Sequence, residues 1–198
     1  MSINSFKKFF IIFIPLSLFI FIFLIIYICP GSKTSKFDIF AGKLLGKEPT
    51  IDVRSDNFSY FSYIPDKYTC DGENVNPSLK WENFPKKTKS FFLLVYDPDA
   101  PKENFIHWIV YNIPSNKTYI REGENLSTIG IKQGINDFGF IGYGGPCPPK
   151  GSGHRYVFRI IALDIALNLT EGATIKEIEE KLKGHILAYG DLIGLYSR

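Results

Sequence analysis

Phe91–Tyr96 reads FFLLVY, and the chain leaves it at once through Asp97-Pro98-Asp99-Ala100-Pro101. A short unbroken apolar run closed by a proline turn predicts a strand buried on both faces. Working outward, His107–Ile113 (HWIVYNI) forms the next strand and stops at Pro114. His154–Asp164 (HRYVFRIIALD) predicts a third strong strand, Leu79–Trp81 a brief one, and the aromatic stretch Phe58–Tyr63 another, ended by Ile64-Pro65-Asp66. Cys70–Pro77 (CDGENVNP) and Gly142–Gly153 are dense in turn formers and read as loops. One helix stands out: Thr174 and Glu177 have capping-box spacing, Ile175, Ile178 and Leu182 recur at helical intervals, and Gly184 suits a stop. His185–Tyr196 returns to short-strand character around Gly190. Strands dominate without regular strand–helix alternation, so the expected class is mainly β, with an antiparallel or mixed sheet rather than a doubly wound one.

The 198 residues divide into three expected parts. Phe9–Ile28 is apolar except for Pro15 and Ser17, about the length that crosses a bilayer as a helix, so residues 1–30 read as an N-terminal membrane anchor or signal-anchor. No small-x-small cleavage site follows it. Residues 31–50 read as a juxtamembrane linker, and 51–198 as one domain, large enough to bury a core unaided. Lysines flank the apolar run on both sides, so charge asymmetry decides little about orientation. A short N-terminal tail retained in the cytoplasm would put the domain on the extracytoplasmic side. The net charge of +3 is small and its lysines are scattered, which gives no case for nucleic-acid binding. Of the three cysteines, Cys29 ends the apolar run, while Cys70 and Cys147 could form a disulfide outside the cytoplasm. Their spacing is not that of a zinc site.

Polar chemistry concentrates in three places. Asp97 and Asp99 leave the buried strand in a turn stiffened by prolines, which can aim a side chain reproducibly. His107 opens the following strand; alternation places it with Ile109 and Tyr111, opposite Trp108, Val110 and Asn112. The third is Gly142–Tyr156 (GYGGPCPPKGSGHRY), whose glycines permit close backbone approach and an anion-binding nest of N–H groups. It is not a nucleotide phosphate loop, because the order Lys150-Gly151-Ser152 is wrong and prolines remove the donors. Gly-x-Ser-x-Gly is absent, so Ser152 is a poor nucleophile. Alternation puts His154 and Tyr156 on one face of their strand and Arg155 on the other. An anion site there would rest on imidazole, phenol and backbone donors rather than on guanidinium.

Taken in order, DPDAP, a histidine on the next strand, and a Gly/Pro loop running into His154-Arg155-Tyr156 resemble the signature of the phosphatidylethanolamine-binding protein (Raf kinase inhibitor-like) family. CDGENVNPSLKW, GYGGPCPPKGSGHRY and GHILAYGDLIGLYSR are similar to its bacterial and archaeal YbhB/YbcL-type branch. The resemblance covers residue 51 to the C-terminus. It implies a central sheet, a smaller flanking sheet, a short C-terminal helix, and a shallow pocket for phosphate-like or carboxylate ions. Ligand-binding roles carry over onto Asp97, Asp99, His107, His154 and Tyr156, with Gly145, Cys147 and Pro148 from the loop. The segment between Pro101 and His107 is shorter than in animal members, and Cys147 stands where those have a small residue, so inhibition of a Raf-type kinase is not carried over.

Four functions are open to these residues. In the first, the domain binds a small anion or phospholipid head group without catalysis; Asp97 accepts a hydrogen bond from His107, and His107, His154 and Tyr156 donate to the ligand. In the second, a hydrolase or lyase uses the same Asp/His/Tyr pocket for acid–base chemistry, with Cys147 as the best nucleophile. In the third, Asp97, His107 and His154 ligate zinc, although no ligand spacing supports it. In the fourth, compatible with the first, surface contact modulates a partner such as a kinase or protease. No cofactor motif is present.

Overall fold

The computed structural model describes residues 50–198. The expected anchor at 1–30 and the linker at 31–50, Thr50 excepted, lie outside the described residues. Among those described, no helix is long and apolar enough to cross a membrane.

Among the described residues, eight strands and one α-helix follow in the order β1 (Asp52–Arg54), β2 (Leu79–Glu82), β3 (Ser90–Asp97), β4 (Phe105–Pro114), β5 (Tyr119–Ile120), β6 (Lys132–Gln133), β7 (Gly153–Leu163), α1 (Ile175–Leu182) and β8 (Ile186–Ser197). They form a three-stranded sheet, β1-β2-β5, and a five-stranded sheet, β6-β4-β3-β7-β8. Every strand pairing within the sheets is antiparallel. The apolar run that opened the reading lies at the centre of the large sheet, and all eight residues of β3 are buried.

Both faces of β3 are covered, which is why its sequence does not alternate. Phe91, Leu93 and Val95 meet Trp81, Leu79 and Val53 of the small sheet in one cluster. Phe92, Leu94 and Tyr96 lie on the other face, in a second cluster with Ile175, Ile178 and Leu182 of α1. The layers are therefore small sheet, large sheet, helix. The helix starts where its sequence says: the Thr174 side chain accepts the Glu177 N–H, and the Glu177 carboxylate accepts the Thr174 N–H at 2.8 Å. Such a cap is worth about 1 kcal/mol.

Two expectations differ from what the chain does. Phe58–Tyr63 is not a strand; Phe61 has φ +58, and Phe58 turns inward against the Phe158 ring at 5.5 Å. The aromatic content there serves packing, and the segment is held by Phe61 N–H to the Ile193 carbonyl at 2.7 Å and by Ile64 N–H to that of Leu195 at 2.8 Å. Conversely, the stretch around Gly190 is one long strand, β8. Gly190 does not break it. It admits another backbone: a Cβ there would sit 1.9 Å from the Ile51 carbonyl oxygen.

The large sheet carries two register shifts between β3 and β4. Val95 faces Trp108 but Tyr96 faces Ile106, so His107 is an extra residue on β4 with no opposite number. Strict alternation, as expected from sequence, would group His107 with Ile109 and Tyr111 on the helix-covered face. The bulge interrupts the alternation and returns His107 to the face that bears Tyr156; the two rings lie 5.2 Å apart, edge to face.

Candidate functional site

At one end of the large sheet, three strand ends bring together four of the residues singled out by sequence: Asp97 closes β3, His107 lies near the start of β4, and His154 and Tyr156 open β7. All four are buried. The grouping is a consequence of order in the sheet. Strand β3 lies between β4 and β7, and antiparallel pairing puts its last residue beside their first ones.

The partner of Asp97 is not the one expected. Its Oδ2 lies 2.7 Å from Nδ1 of His154, whereas Nδ1 of His107 lies 2.7 Å from the carbonyl oxygen of Gly144. Both acceptors lack a proton to give, so Nδ1 carries the hydrogen in both rings and Nε2 is the atom left to face a ligand. Burial holds the His107 imidazole below its ordinary value, opposed by its bond to Gly144 and by the Asp97 charge. The ring is boxed by Phe105 at 5.2 Å, Phe138 at 5.3 Å and Tyr156, all edge-on.

Tyr156 is fully buried, and its hydroxyl makes no hydrogen bond among the described residues. The Cys147 N–H approaches the phenol oxygen without closing a bond. Burial and the nearby Asp97 push the phenol well above its usual range, so it stays protonated and can donate. A buried hydroxyl without a partner is costly, and native structures seldom keep one that no ligand or water satisfies.

The Gly/Pro loop lies beside His107, and its backbone is already committed. Gly144 N–H donates to the His107 carbonyl at 3.0 Å, and Gly145 N–H donates to Asn74 Oδ1 at 2.7 Å. The expected nest of glycine N–H donors is thus used to hold the loop. Gly145 must be glycine for a steric reason too, since a Cβ would meet the Tyr68 carbonyl oxygen at 2.3 Å. Pro148 is buried in the same loop. Cys147 is disulfide-bonded to Cys70, with Cα atoms 5.5 Å apart, and Cys70 N–H donates to the Pro146 carbonyl at 3.1 Å. The sulfur considered as a nucleophile is therefore occupied. The Asp99 carboxylate is engaged by Arg155: it takes the backbone N–H at 2.9 Å and the guanidinium at 2.7 and 2.8 Å. His185, outside the site, pairs with Asp164 at 2.9 Å. Among the described residues no group of three or more His, Cys, Asp or Glu side chains is arranged to hold a metal.

Sequence reasoning missed the supports. Asn74 and Gly144 place the loop and His107, and Tyr143 ties the loop to the Tyr68 carbonyl at 2.8 Å. The only sequence signal for Asn74 was its place in the turn-rich CDGENVNP stretch, where a left-handed φ of +57 is tolerated by asparagine. A separate groove of about 490 Å³ on the small sheet is lined by Asp52, Arg54, Lys80, Glu82 and Tyr119. Its charges are satisfied by neighbours, Arg54 by Glu82 and Lys80 by Asp56, each at 2.5 Å, and it holds none of the groups above.

Comparison with known proteins agrees with this arrangement. The profile of the phosphatidylethanolamine-binding protein family matches residues 54–197. The chain belongs to that family. Relatives include a UPF0098 protein of Aquifex aeolicus, 49% identical over 75% of this chain and 89% of its own, and one of Pyrococcus horikoshii, 46% identical over 79% and 82%. Among solved structures, a putative phosphatidylethanolamine-binding protein homologue from Chlamydia trachomatis is 39% identical with a TM-score of 0.71, covering 76% of this chain and 99% of its own. Escherichia coli YbcL, described as a member of the mammalian family, is 33% identical with a TM-score of 0.70, covering 75% and 99%. The two-sheet architecture and the short C-terminal helix are thus those of a phosphatidylethanolamine-binding protein fold.

Proposed function

We propose that this family member is a non-catalytic receptor for a phosphate-like anion, free or carried on a phospholipid head group, held between His107, His154 and Tyr156. The observation that carries the reading is the buried Tyr156 hydroxyl, protonated and without a partner, beside imidazoles whose Nδ1 atoms are tied back by Asp97 and Gly144. Three polar atoms are left for a ligand, and the second atom of each ring is spent on orientation. The occupied Cys147 sulfur speaks against nucleophilic catalysis. The Asp97–His154 pair keeps a hydrolase or lyase as the alternative, since a carboxylate-oriented imidazole is also a general base.

The apolar run Phe9–Ile28 supports a single-pass tether, and a disulfide in the domain supports an oxidising, extracytoplasmic setting. On this reading the occupied hollow, framed by the disulfide-held loop, is the surface through which a partner such as a kinase or protease would be modulated. Calorimetric titration of inorganic phosphate into the full chain in mild detergent tests the receptor. Wild type binds and His154→Ala binds at least tenfold more weakly, on the scale of a lost charge-assisted hydrogen bond. Equal affinities remove His154 from the site, and turnover of phosphoester or ester substrates replaces the receptor by the enzyme.

A further inference from the structure

Of the large apolar side chains exposed among the described residues, all but Tyr119 fall in two short segments, 60–63 and 129–141. Exposed apolar residues scattered singly need no explanation, but concentrated ones mark an interaction surface. Backbone bonds show where the two segments run. Residues 134–137 follow the outer edge of β4 towards its start: Gly134 N–H donates to the Ile109 carbonyl at 3.1 Å and Asp137 N–H to that of Ile106 at 3.0 Å. Residues 61–64 follow the outer edge of β8 towards its end, with Phe61 N–H on the Ile193 carbonyl at 2.7 Å and Tyr63 bridged to Leu195. The start of β4 and the end of β8 lie at the same end of the large sheet, where Asp97, His107, His154 and Tyr156 also gather. Strands β4, β3, β7 and β8 separate the segments by five strand spacings, about 24 Å. The anion-binding side chains thus lie between two apolar corners, and the Phe138 ring of one corner stands edge-on to His107 at 5.3 Å.

Both corners turn their polar groups inwards. Asn136, 3% exposed, accepts the Phe138 and Phe140 N–H groups at 3.1 and 3.2 Å and donates to the Gly142 carbonyl at 3.0 Å. The Asp137 carboxylate accepts the Ile106 N–H at 2.7 Å. At the other corner, Ile64 N–H donates to the Leu195 carbonyl at 2.8 Å and Leu195 N–H to that of Ser62 at 2.9 Å. Rings of Phe and Tyr are left outwards on backbone that is already hydrogen-bonded. A lipid surface requires that combination, because it offers few partners to bare backbone and takes aromatic rings at its interface. The chain also carries its own route to one. The roughly 20 residues between Ile28 and Thr50 reach about 70 Å when extended, so the apolar run Phe9–Ile28 leaves this end of the sheet free to meet the bilayer. Resting on the tether and receptor readings above, we propose that the two apolar corners dock the domain end-on against the bilayer, so that His107, His154 and Tyr156 meet phospholipid head groups in place.

The full chain in vesicles of phosphatidylcholine and phosphatidylethanolamine with brominated acyl chains tests this. Trp81 and Trp108 are buried and give a fixed background of emission. Phe61→Trp and Phe140→Trp add one indole to each corner, and Tyr119→Trp adds one to the small sheet as control. Against unbrominated vesicles, the added emission of the first two should fall by about half, as for rings seated at the boundary of head groups and acyl chains, and that of the third should not change. In a chain that floats with the vesicles, quenching of all three alike, of neither corner or of one corner alone overturns the docking and leaves the tether standing. Unquenched emission that shifts to the blue as the protein-to-lipid ratio rises gives the apolar corners to a second copy of the chain and overturns it too. A chain that does not float with the vesicles overturns tether and docking together, while the phosphate titration above decides the receptor by itself.

Discussion

Asp97 Oδ2 lies 2.7 Å from His154 Nδ1 and so orients the histidine of β7, not that of β4. His107 and His154 are consequently unlike. One is buttressed by a charge and the other by a carbonyl dipole and aromatic rings.

Asp97→Asn keeps the shape of the acid and removes its charge. His154 Nδ1 then loses its charge-assisted bond and the ring is held less firmly, so phosphate affinity should drop by about tenfold or more. The fold should survive, because an amide oxygen can still accept from Nδ1. Calorimetry beside a thermal melt checks this; unchanged affinity would mean that the pair has no part in binding.

Acidification should weaken the fold through His107. The folded chain holds this imidazole below its ordinary 6.5, so between the lowered value and 6.5 the unfolded chain binds more protons. Stability therefore rises with pH across that window and is lost as pH falls through it; above 6.5 the contribution is fully present. Urea unfolding at pH 5, 6 and 7 should show this slope, and His107→Gln should flatten it.

The Cys70–Cys147 bond closes a sequence separation of 77 residues, so it restricts the unfolded chain considerably. Reduction, or replacing both cysteines by serine, should cost about 2–4 kcal/mol of stability by chemical denaturation. It should also weaken phosphate binding, because the same bond holds the loop whose Gly144 carbonyl aims His107. Loss of stability with unchanged affinity would show that the loop keeps its place without the bond.

Asp99 serves as a negative control. Its ion pair with Arg155 is partly exposed, with side chains 31% and 49% accessible, and such pairs contribute at most about 1 kcal/mol. Asp99→Asn should leave phosphate affinity within twofold and stability nearly unchanged. A large loss of affinity would return Asp99 to the binding site, where sequence reading had placed it.

Several elements were legible in the sequence because local rules govern them. The buried run of β3, the proline stops after β3 and β4, and the capping box at Thr174 all behave as their residues require. The glycine-rich stretch was legible as a loop but not in its bonding. Its N–H groups could have formed a nest; the presence of Asn74 and the His107 carbonyl consumed them instead. Phe58–Tyr63 misled because aromatic density records burial as readily as pairing. Gly190 misled because a glycine inside a strand can mark the approach of another backbone rather than an end.

The sequence by itself determined the class, mainly β, and the order of the main strands and the C-terminal helix. It could do so because periodicity, caps and turn chemistry act between near neighbours. Only the tertiary structure decided how the residues of the site meet. The bulge that turns His107 towards Tyr156, the choice of His154 as partner of Asp97, and the closing of Cys70 on Cys147 depend on register and on segments far apart in the chain. Strand pairing is set by the whole sheet, and a single extra residue on one strand reverses which face a side chain occupies.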